Sequence, residues 1–305
     1  MIVYKELSSI ETDLGIKART LYAVSNSLDR HYRQVRLEKH DGSFRLLSVP
    51  DPVLKIIQKK ITLVLLSQVE VSPYATAYRP GGSTAANALP HVKKDVVLKL
   101  DIHHFFDNIL YSDVKEKAFP PEKYSEPIRV LLSMLCYYND GLPQGAPSSP
   151  AISNIVMKDF DERVGAWCEN HGVNYTRYCD DLTFSGNFDY DEVARFVTDE
   201  LRKEGFFLNA KKTHVARNTS KQTVTGLVVN KKLNVPTAYR RAIRQEIYFC
   251  RKYGVEEHLR RSGKDCTARE YISVLCGKVS YVLSVCPGNE EFVQYREYLS
   301  HEVFV

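Results

Sequence analysis

Tyr175-Thr176-Arg177-Tyr178-Cys179-Asp180-Asp181-Leu182-Thr183 sets two carboxylates side by side in a stretch of strand composition. Successive residues of a strand point to opposite faces, so Asp180 and Asp181 can share one site only where the backbone turns sharply. The stretch therefore predicts strand, tight turn and strand over 175–186, with the acids at the tip. Upstream, Val96-Val97-Leu98-Lys99-Leu100-Asp101 reads as a mostly apolar strand with a third acid at its exit. Carboxylates gathered within a few ångströms repel one another and need cations. Three of them, as hard oxygen donors, suit a pair of magnesium ions, which is what phosphoryl transfer to a nucleic-acid strand requires. Gly141-Leu142-Pro143-Gln144-Gly145-Ala146-Pro147-Ser148-Ser149-Pro150 lies between the acids and is expected to wall the nucleotide side.

Outward from this centre, the pattern predicts a helix over 8–28 opened by a capping box at Ser8-Ser9-Ile10-Glu11. Two alternating runs, 32–39 and 43–49, bracket His40-Asp41-Gly42, a hairpin signal. Apolar residues at helical spacing follow over 53–66, with a short helix near 85–91. Helices are also expected over 112–117, 127–137, 151–167 and 191–204, and strands over 206–215 and 224–229. Beyond Thr237 the pattern is all helical, broken at Pro287-Gly288-Asn289. The order strand, helix, hairpin, helix, strand is that of a ferredoxin-like sheet with helices on one face, an α+β fold.

A chain of 305 residues divides naturally into two or three packed subdomains. Its 44% apolar and 26% charged residues are ordinary for a globular protein. A net charge of +5 does not by itself imply nucleic acid, but the basic residues cluster. Arg30, Arg33, Arg36 and Lys39 form one group; Arg240, Arg241 and Arg244 open another that runs to Lys264. Such groups can follow a phosphate backbone or line a solvated helix face. Seven cysteines, with no C-x-x-C pair, read as reduced thiols. The first residues lack a signal-peptide pattern and no apolar run approaches a membrane span, so a cytoplasmic protein without membrane contact is expected.

In their chain order these motifs closely resemble those of reverse transcriptases, and among them the retron type. Leu100-Asp101-Ile102 with Phe105-Phe106 matches the first catalytic motif, Leu142 to Pro150 the second, and Tyr175 to Thr183 the third. Asn87-Ala88-Leu89-Pro90-His91 fits the retron N-A-x-x-H element and Val224-Thr225-Gly226 its V-T-G element. One departure is Cys179, where retron enzymes usually carry alanine; a small apolar filler is the expected role. The resemblance implies a right-hand polymerase with a ferredoxin-like palm sheet, fingers and an all-helical thumb. Its divisions fall at 1–95 for N-terminal helices and fingers, 96–236 for the palm with a fingers-type insertion near 112–145, and 237–305 for the thumb.

Carried to this chain, the resemblance implies that Asp101, Asp180 and Asp181, with the backbone carbonyl of Ile102, hold two Mg2+ ions. Phe106 would exclude a 2′-hydroxyl by bulk, with neighbouring Phe105 in the core. Gln144 would touch the incoming nucleotide from the start of the second-motif helix, where free N–H groups favour anions. Arg45 would clamp the triphosphate, its guanidinium fork matching phosphate oxygens. Lys212 would protonate the leaving pyrophosphate as general acid, with Lys211 its rival. Arg79, Asn87, His91, Thr225, Gly226, Arg240, Arg241 and Arg244 are candidate nucleic-acid contacts; a capped core residue is the other reading of His91.

The implied activity is RNA-directed DNA polymerisation: part of a cognate structured non-coding RNA is copied from dNTPs into single-stranded DNA. Priming from an RNA 2′-hydroxyl would leave branched RNA–DNA (msDNA), in the setting of anti-phage defence. Expected partners are that RNA and its DNA copy, a separately encoded effector protein, and a host RNase H, because no RNase H segment follows. Alternatives are a group II intron or diversity-generating reverse transcriptase, or a non-catalytic RNA-binding scaffold for an effector. The N-A-x-x-H and V-T-G elements argue against the first pair. The presence of Asp101, Phe106, Asp180 and Asp181 argues against the scaffold.

Overall fold

The computed structural model describes residues 3–38, 42 and 44–302. Strands Tyr32–Glu38 (β1) and Phe44–Pro50 (β2) pair antiparallel, with Arg33 opposite Val49 and Leu37 opposite Arg45. The turn expected at His40 and Asp41 lies outside the described residues. Asp51 accepts a hydrogen bond from the Leu54 N–H at 2.8 Å and so caps the helix Pro52–Lys60. The single helix expected over 8–28 is two, Leu7–Leu14 and Ala18–Ser25, and Glu6 rather than Ser8 stands at the first cap. Gly15, at φ 58°, ends the first in the left-handed conformation that glycine adopts without strain.

The central sheet has four strands: Val96–Asp101 (β3), Asn174–Tyr178 (β4), Asp181–Gly186 (β5) and His214–Arg217 (β6). Their spatial order, β4-β5-β3-β6, is the ferredoxin-like order that the sequence pattern predicts. The two crossovers carry helices, Ser149–Val156 with Lys158–Asn170, and Tyr190–Lys203. Lys158–Asn170 and Tyr190–Lys203 lie side by side. Arg163 reaches Glu200 at 2.8 Å and Glu204 at 2.6 Å, and Trp167 stacks on Phe196. The helix expected over 151–167 thus comes in two pieces that part at Met157.

Two strand expectations fail in detail. Over 206–215, Leu208 makes only an isolated bridge to Ile102, and the chain winds into a 3-10 turn, Ala210–Lys212, before β6. Over 224–229, the strand is a small hairpin, Thr223–Val224 (β7) with Leu227–Val228 (β8), closing on Thr225 and Gly226 at φ 44° and 80°. Paired turn residues at positive φ are what a tight hairpin demands.

The chain forms two compact units, each with its own core. One gathers Met1–Gly82, Leu98–Phe184 and Phe188–Val215 around residues such as Leu98, Leu132, Phe160 and Phe184. The other gathers Ser83–Val97, Ser185–Asn187 and Ala216–Val305 around Val224, Ile243, Leu275 and Val279. From Thr237 onward its described elements are all helices: Thr237–Tyr253, Val255–Ser262, Ala268–Val285 and Glu290–Glu302. Among the described residues no helix is long and apolar enough to cross a membrane.

Candidate active site

Asp101 ends β3, whose Val96, Val97, Leu98 and Leu100 are buried, and it is itself only 6% exposed. β4 and β5 are joined by the two residues Cys179 and Asp180, so Asp181 opens β5. The Ile102 N–H donates to the Asp180 carbonyl at 3.0 Å, and the Asn209 N–H to the Asp101 carbonyl at 2.8 Å. These backbone bonds bring the exit of β3 against the hairpin tip, so that the three acids share one end of the central strands. The sharp turn required by adjacent aspartates is present.

That turn is strained. Cys179 has φ 62°, in the first position of a two-residue hairpin loop, where glycine is favoured. A side chain held there costs about 1 kcal/mol or more and persists only when the surroundings enforce it. Here Cys179 is buried and its thiol hydrogen-bonds the phenol of Tyr78, another positive-φ residue at 56°. Burial, and then the charge of Asp180, push the thiol up to about 12. It stays protonated at neutral pH and is no nucleophile, which agrees with the expected filler role.

Lys212 stands on the 3-10 turn after the Ile102–Leu208 bridge, and its Nζ donates to Asp101 Oδ2 at 2.6 Å. Of the rival lysines, it is Lys212 whose ammonium meets the acids. Desolvation lowers its pKa, but the hydrogen bond and charge of Asp101, with Asp180 and Asp181, outweigh that and hold it above the usual lysine value. Burial raises the Asp181 carboxyl, Asp180 and Asp101 add repulsion, and the result is about 6. The residue is nevertheless solvent-exposed, so solvent weakens both contributions.

The donor chemistry fits a hard divalent cation: carboxylate oxygens on adjoining strand ends. In extended backbone a residue's N–H and C=O point the same way, so the Ile102 carbonyl lies on the Asp180 side. Among the described residues no three His, Cys, Asp or Glu side chains are closed around a common centre. Lys212 neutralises Asp101 instead.

Phe105 is a core residue, 3% exposed and packed on Phe206, while half-buried Phe106 leans edge-on against it. The Leu142 N–H donates to the Phe106 carbonyl at 2.9 Å, which fastens the second-motif loop to the first motif. A Cβ on Gly141 would fall 2.9 Å from the Asp107 Cα, so that close approach needs glycine. Gln144 lies in this loop, ahead of the helix Ser149–Val156 rather than at its start, and donates to Asp107 Oδ1 at 3.3 Å. The helix-terminus argument for Gln144 therefore does not hold. Gly145 touches the β1–β2 hairpin: a Cβ there would lie 2.8 Å from the Ser48 carbonyl and 3.6 Å from Val49 Cγ2. Arg45 is exposed and, by strand alternation, shares the face of Val49 that turns toward this loop.

Several expected nucleic-acid contacts are turned inward. Asn87 and His91 are fully buried. His91 Nδ1 lies 2.6 Å from Ser185 Oγ; burial, and then Lys94, push the ring down to about 3, so it is neutral. Asn87 Nδ2 donates to Thr225 Oγ1 at 3.4 Å, and Thr225 Oγ1 donates to the Thr84 carbonyl at 2.9 Å. The N-A-x-x-H and V-T-G elements thus fasten to each other, with Gly226 left exposed at the hairpin tip. Arg79 donates to the carbonyls of Ser72 and Ala75 at 3.0 and 3.4 Å. Arg244 forks onto Glu291, both bonds at 2.6 Å, and Arg240 donates to the Val235 carbonyl at 3.2 Å. Arg241 is exposed on the helix Thr237–Tyr253, in a stripe with Gln245, Tyr248 and Lys252.

Sequence reasoning missed Arg177 and Asp161, a fully buried ion pair beneath the turn. The available signal is an arginine inside a strand flanked by buried positions, which needs an acid partner that the local sequence does not identify.

Residues 37–231 match the family described as reverse transcriptase (RNA-dependent DNA polymerase). The retron Mx65 reverse transcriptase of Myxococcus xanthus is 32% identical over 281 residues, covering 84% of this chain and 66% of that protein. The retron Ec86 reverse transcriptase of Escherichia coli is 31% identical over 265 residues, covering 85% of this chain and 82% of that one. Among solved structures, telomerase from Candida tropicalis with a telomeric RNA fragment aligns at TM-score 0.49 and 13% identity, over 83% of this chain and 53% of the other. The family match across most of the sheet unit and the retron relatives along most of the sequence agree: this chain belongs to the reverse transcriptases, in their retron branch.

Proposed function

We propose that this chain copies part of a cognate structured non-coding RNA into single-stranded DNA, primed from an RNA 2′-hydroxyl to leave branched msDNA. The observation that carries the site assignment is the Ile102–Asp180 backbone bond, which joins the first and third catalytic motifs at one sheet end. Asp101, Asp180 and Asp181, with the Ile102 carbonyl, are the groups that would hold two Mg2+ ions. Such ions, when bound, lower the pKa of a primer hydroxyl and neutralise triphosphate charge.

The remaining roles belong to the chain itself. Lys212, held as an ammonium, is the group that would give its proton to the leaving pyrophosphate. Phe106, fixed against Phe105, stands as the bulk that refuses a 2′-hydroxyl on the incoming sugar. Gln144 keeps the second-motif loop against Asp107, and Arg45 offers its fork to the triphosphate from the hairpin face above that loop. The stripe Arg241, Gln245, Tyr248 and Lys252 is the thumb surface proposed to hold the hybrid by its phosphates and shape. The division into fingers, palm and thumb at 95 and 236 belongs to the same proposal, as do a separately encoded effector, host RNase H and a role in anti-phage defence.

Asp180→Asn tests the reading. Mg2+-dependent extension should vanish while RNA binding persists; unchanged polymerisation would refute the assignment. Sequencing nucleic acid that copurifies with the protein tests the finer claim. A short DNA joined to RNA through a 2′–5′ linkage is expected, and unbranched DNA would remove the priming proposal.

A further inference from the structure

Arg177 and Asp161 are completely buried, and Arg177 heads the largest fully buried side chains. The guanidinium meets the carboxylate as a fork, Nε donating to Oδ1 at 2.8 Å and Nη2 to Oδ2 at 2.6 Å. Tyr175 donates its hydroxyl to the same Oδ1 at 2.8 Å. The backbone around Arg177 is tied as well. Its N–H donates to the Tyr74 carbonyl at 2.8 Å, and its carbonyl accepts from the N–H and hydroxyl of Thr76 at 2.8 and 2.9 Å. One guanidinium nitrogen remains, and Nη1 donates to the Cys179 carbonyl at 3.1 Å.

A buried ion pair is weak grounds for a stabilising role, because apolar residues of similar shape often serve as well or better. An apolar pair has nothing to offer the Cys179 carbonyl, however. That carbonyl belongs to the peptide plane leading into Asp180, and the carbonyl of Asp180 is held by the Ile102 N–H at 3.0 Å. Asp180 is thereby clamped on both sides, in a turn whose first residue sits at φ 62°. A guanidinium with all its nitrogens engaged is rigid enough to hold such a turn.

We infer that Asp161 and Arg177 are positioning residues: they fix the Cys179–Asp180 peptide so that Asp180 and Asp181 face the cation site. They act through the turn and touch no substrate. The inference rests on the polymerase reading above.

The test compares full-length wild type with Arg177→Lys and with the double variant Arg177→Met/Asp161→Leu. Lysine keeps a charge for Asp161 but lacks the nitrogens to reach Cys179 as well. The double variant leaves no buried charge unpaired. Mn2+ binding is read by electron paramagnetic resonance, turn rigidity by amide hydrogen exchange over 178–182 in EDTA, and stability by thermal melting. Expected in both variants is Mn2+ affinity weaker by roughly ten- to a hundredfold, the usual effect of losing an outer-shell support. Exchange at Asp180 and Asp181 should quicken, and kcat should fall with little change in the KM for dNTP. In the double variant these losses should persist at a melting temperature near wild type, which a packing role would not produce. Wild-type Mn2+ affinity and turn exchange in either folded variant overturn the inference. Failure of wild type itself to extend a primer would instead strike the polymerase reading.

Discussion

Replacing Asp181 with asparagine should make the metal-free protein more stable while removing its polymerase activity. Asp181 carries a carboxyl pushed from 3.8 to about 6, by burial first and then by Asp180 and Asp101. A carboxyl whose folded pKa is raised binds more protons folded than unfolded between those values, so stability falls as pH climbs through that window and stays lower above it. Taken at face value the shift of about two units is worth roughly 3 kcal/mol. Because Asp181 is open to solvent, screening reduces the expected effect to about 1 kcal/mol. For a chain of this length that is roughly 1–2 °C in Tm. The assay is calorimetry in EDTA at pH 4.5 and 7.5. Asp181→Asn should gain about that much over wild type at pH 7.5 and little at pH 4.5, and added Mg2+ should raise the Tm of wild type more than that of the variant. An asparagine variant that melts lower than wild type at pH 7.5 without metal, or a difference indifferent to pH, would refute the argument that the acids repel one another in one site.

Phe106→Val should admit ribonucleotides, lowering discrimination against a 2′-hydroxyl by on the order of ten- to a hundredfold in competitive incorporation assays; unaltered discrimination removes the gate role. The two thumb arginines should separate. Arg241→Ala should weaken RNA binding and reduce the slope of log affinity against log salt by about 1. Arg244→Ala should leave that slope unchanged and cost about 1 kcal/mol of stability through loss of its fork on Glu291. Equal salt slopes in both variants would return the helix face to ordinary solvated surface.

The sheet was legible because its signals are local and periodic. An apolar run ending in Asp101, a hairpin forced by adjacent aspartates and two amphipathic crossovers leave little choice of topology. The breaks were not legible, because Met157 and the Ala210–Lys212 turn carry no glycine or proline to announce them, and tertiary contacts decide there. Among site residues, the motifs pointed to the acids and to Lys212 over its rival Lys211, and it is Lys212 whose ammonium meets Asp101. Residue type alone could not distinguish Arg241, which faces solvent, from Arg244, which is tied to Glu291 on the helix Glu290–Glu302. Asn87 and His91 show the converse limit. Polar residues one helical turn apart suggest a ligand, yet both are buried, and Asn87 reaches for Thr225 in an element far along the chain.

Strain and like charge meet at the turn that carries the aspartates, and their meeting there bears on function. Cys179 and Tyr78 hold left-handed backbones, Asp181 resists ionisation, and beneath them a buried arginine is given over to a turn carbonyl. None of these features improves a metal-free fold; a sequence selected for stability alone would relax each with a glycine, an amide or an apolar pair. Lys212 covers one oxygen of Asp101 but leaves Asp180 and Asp181 to repel each other. The imbalance is of the sign that divalent cations relieve. The Arg177–Cys179 and Ile102–Asp180 bonds hold the turn that carries Asp180 and Asp181 against that repulsion.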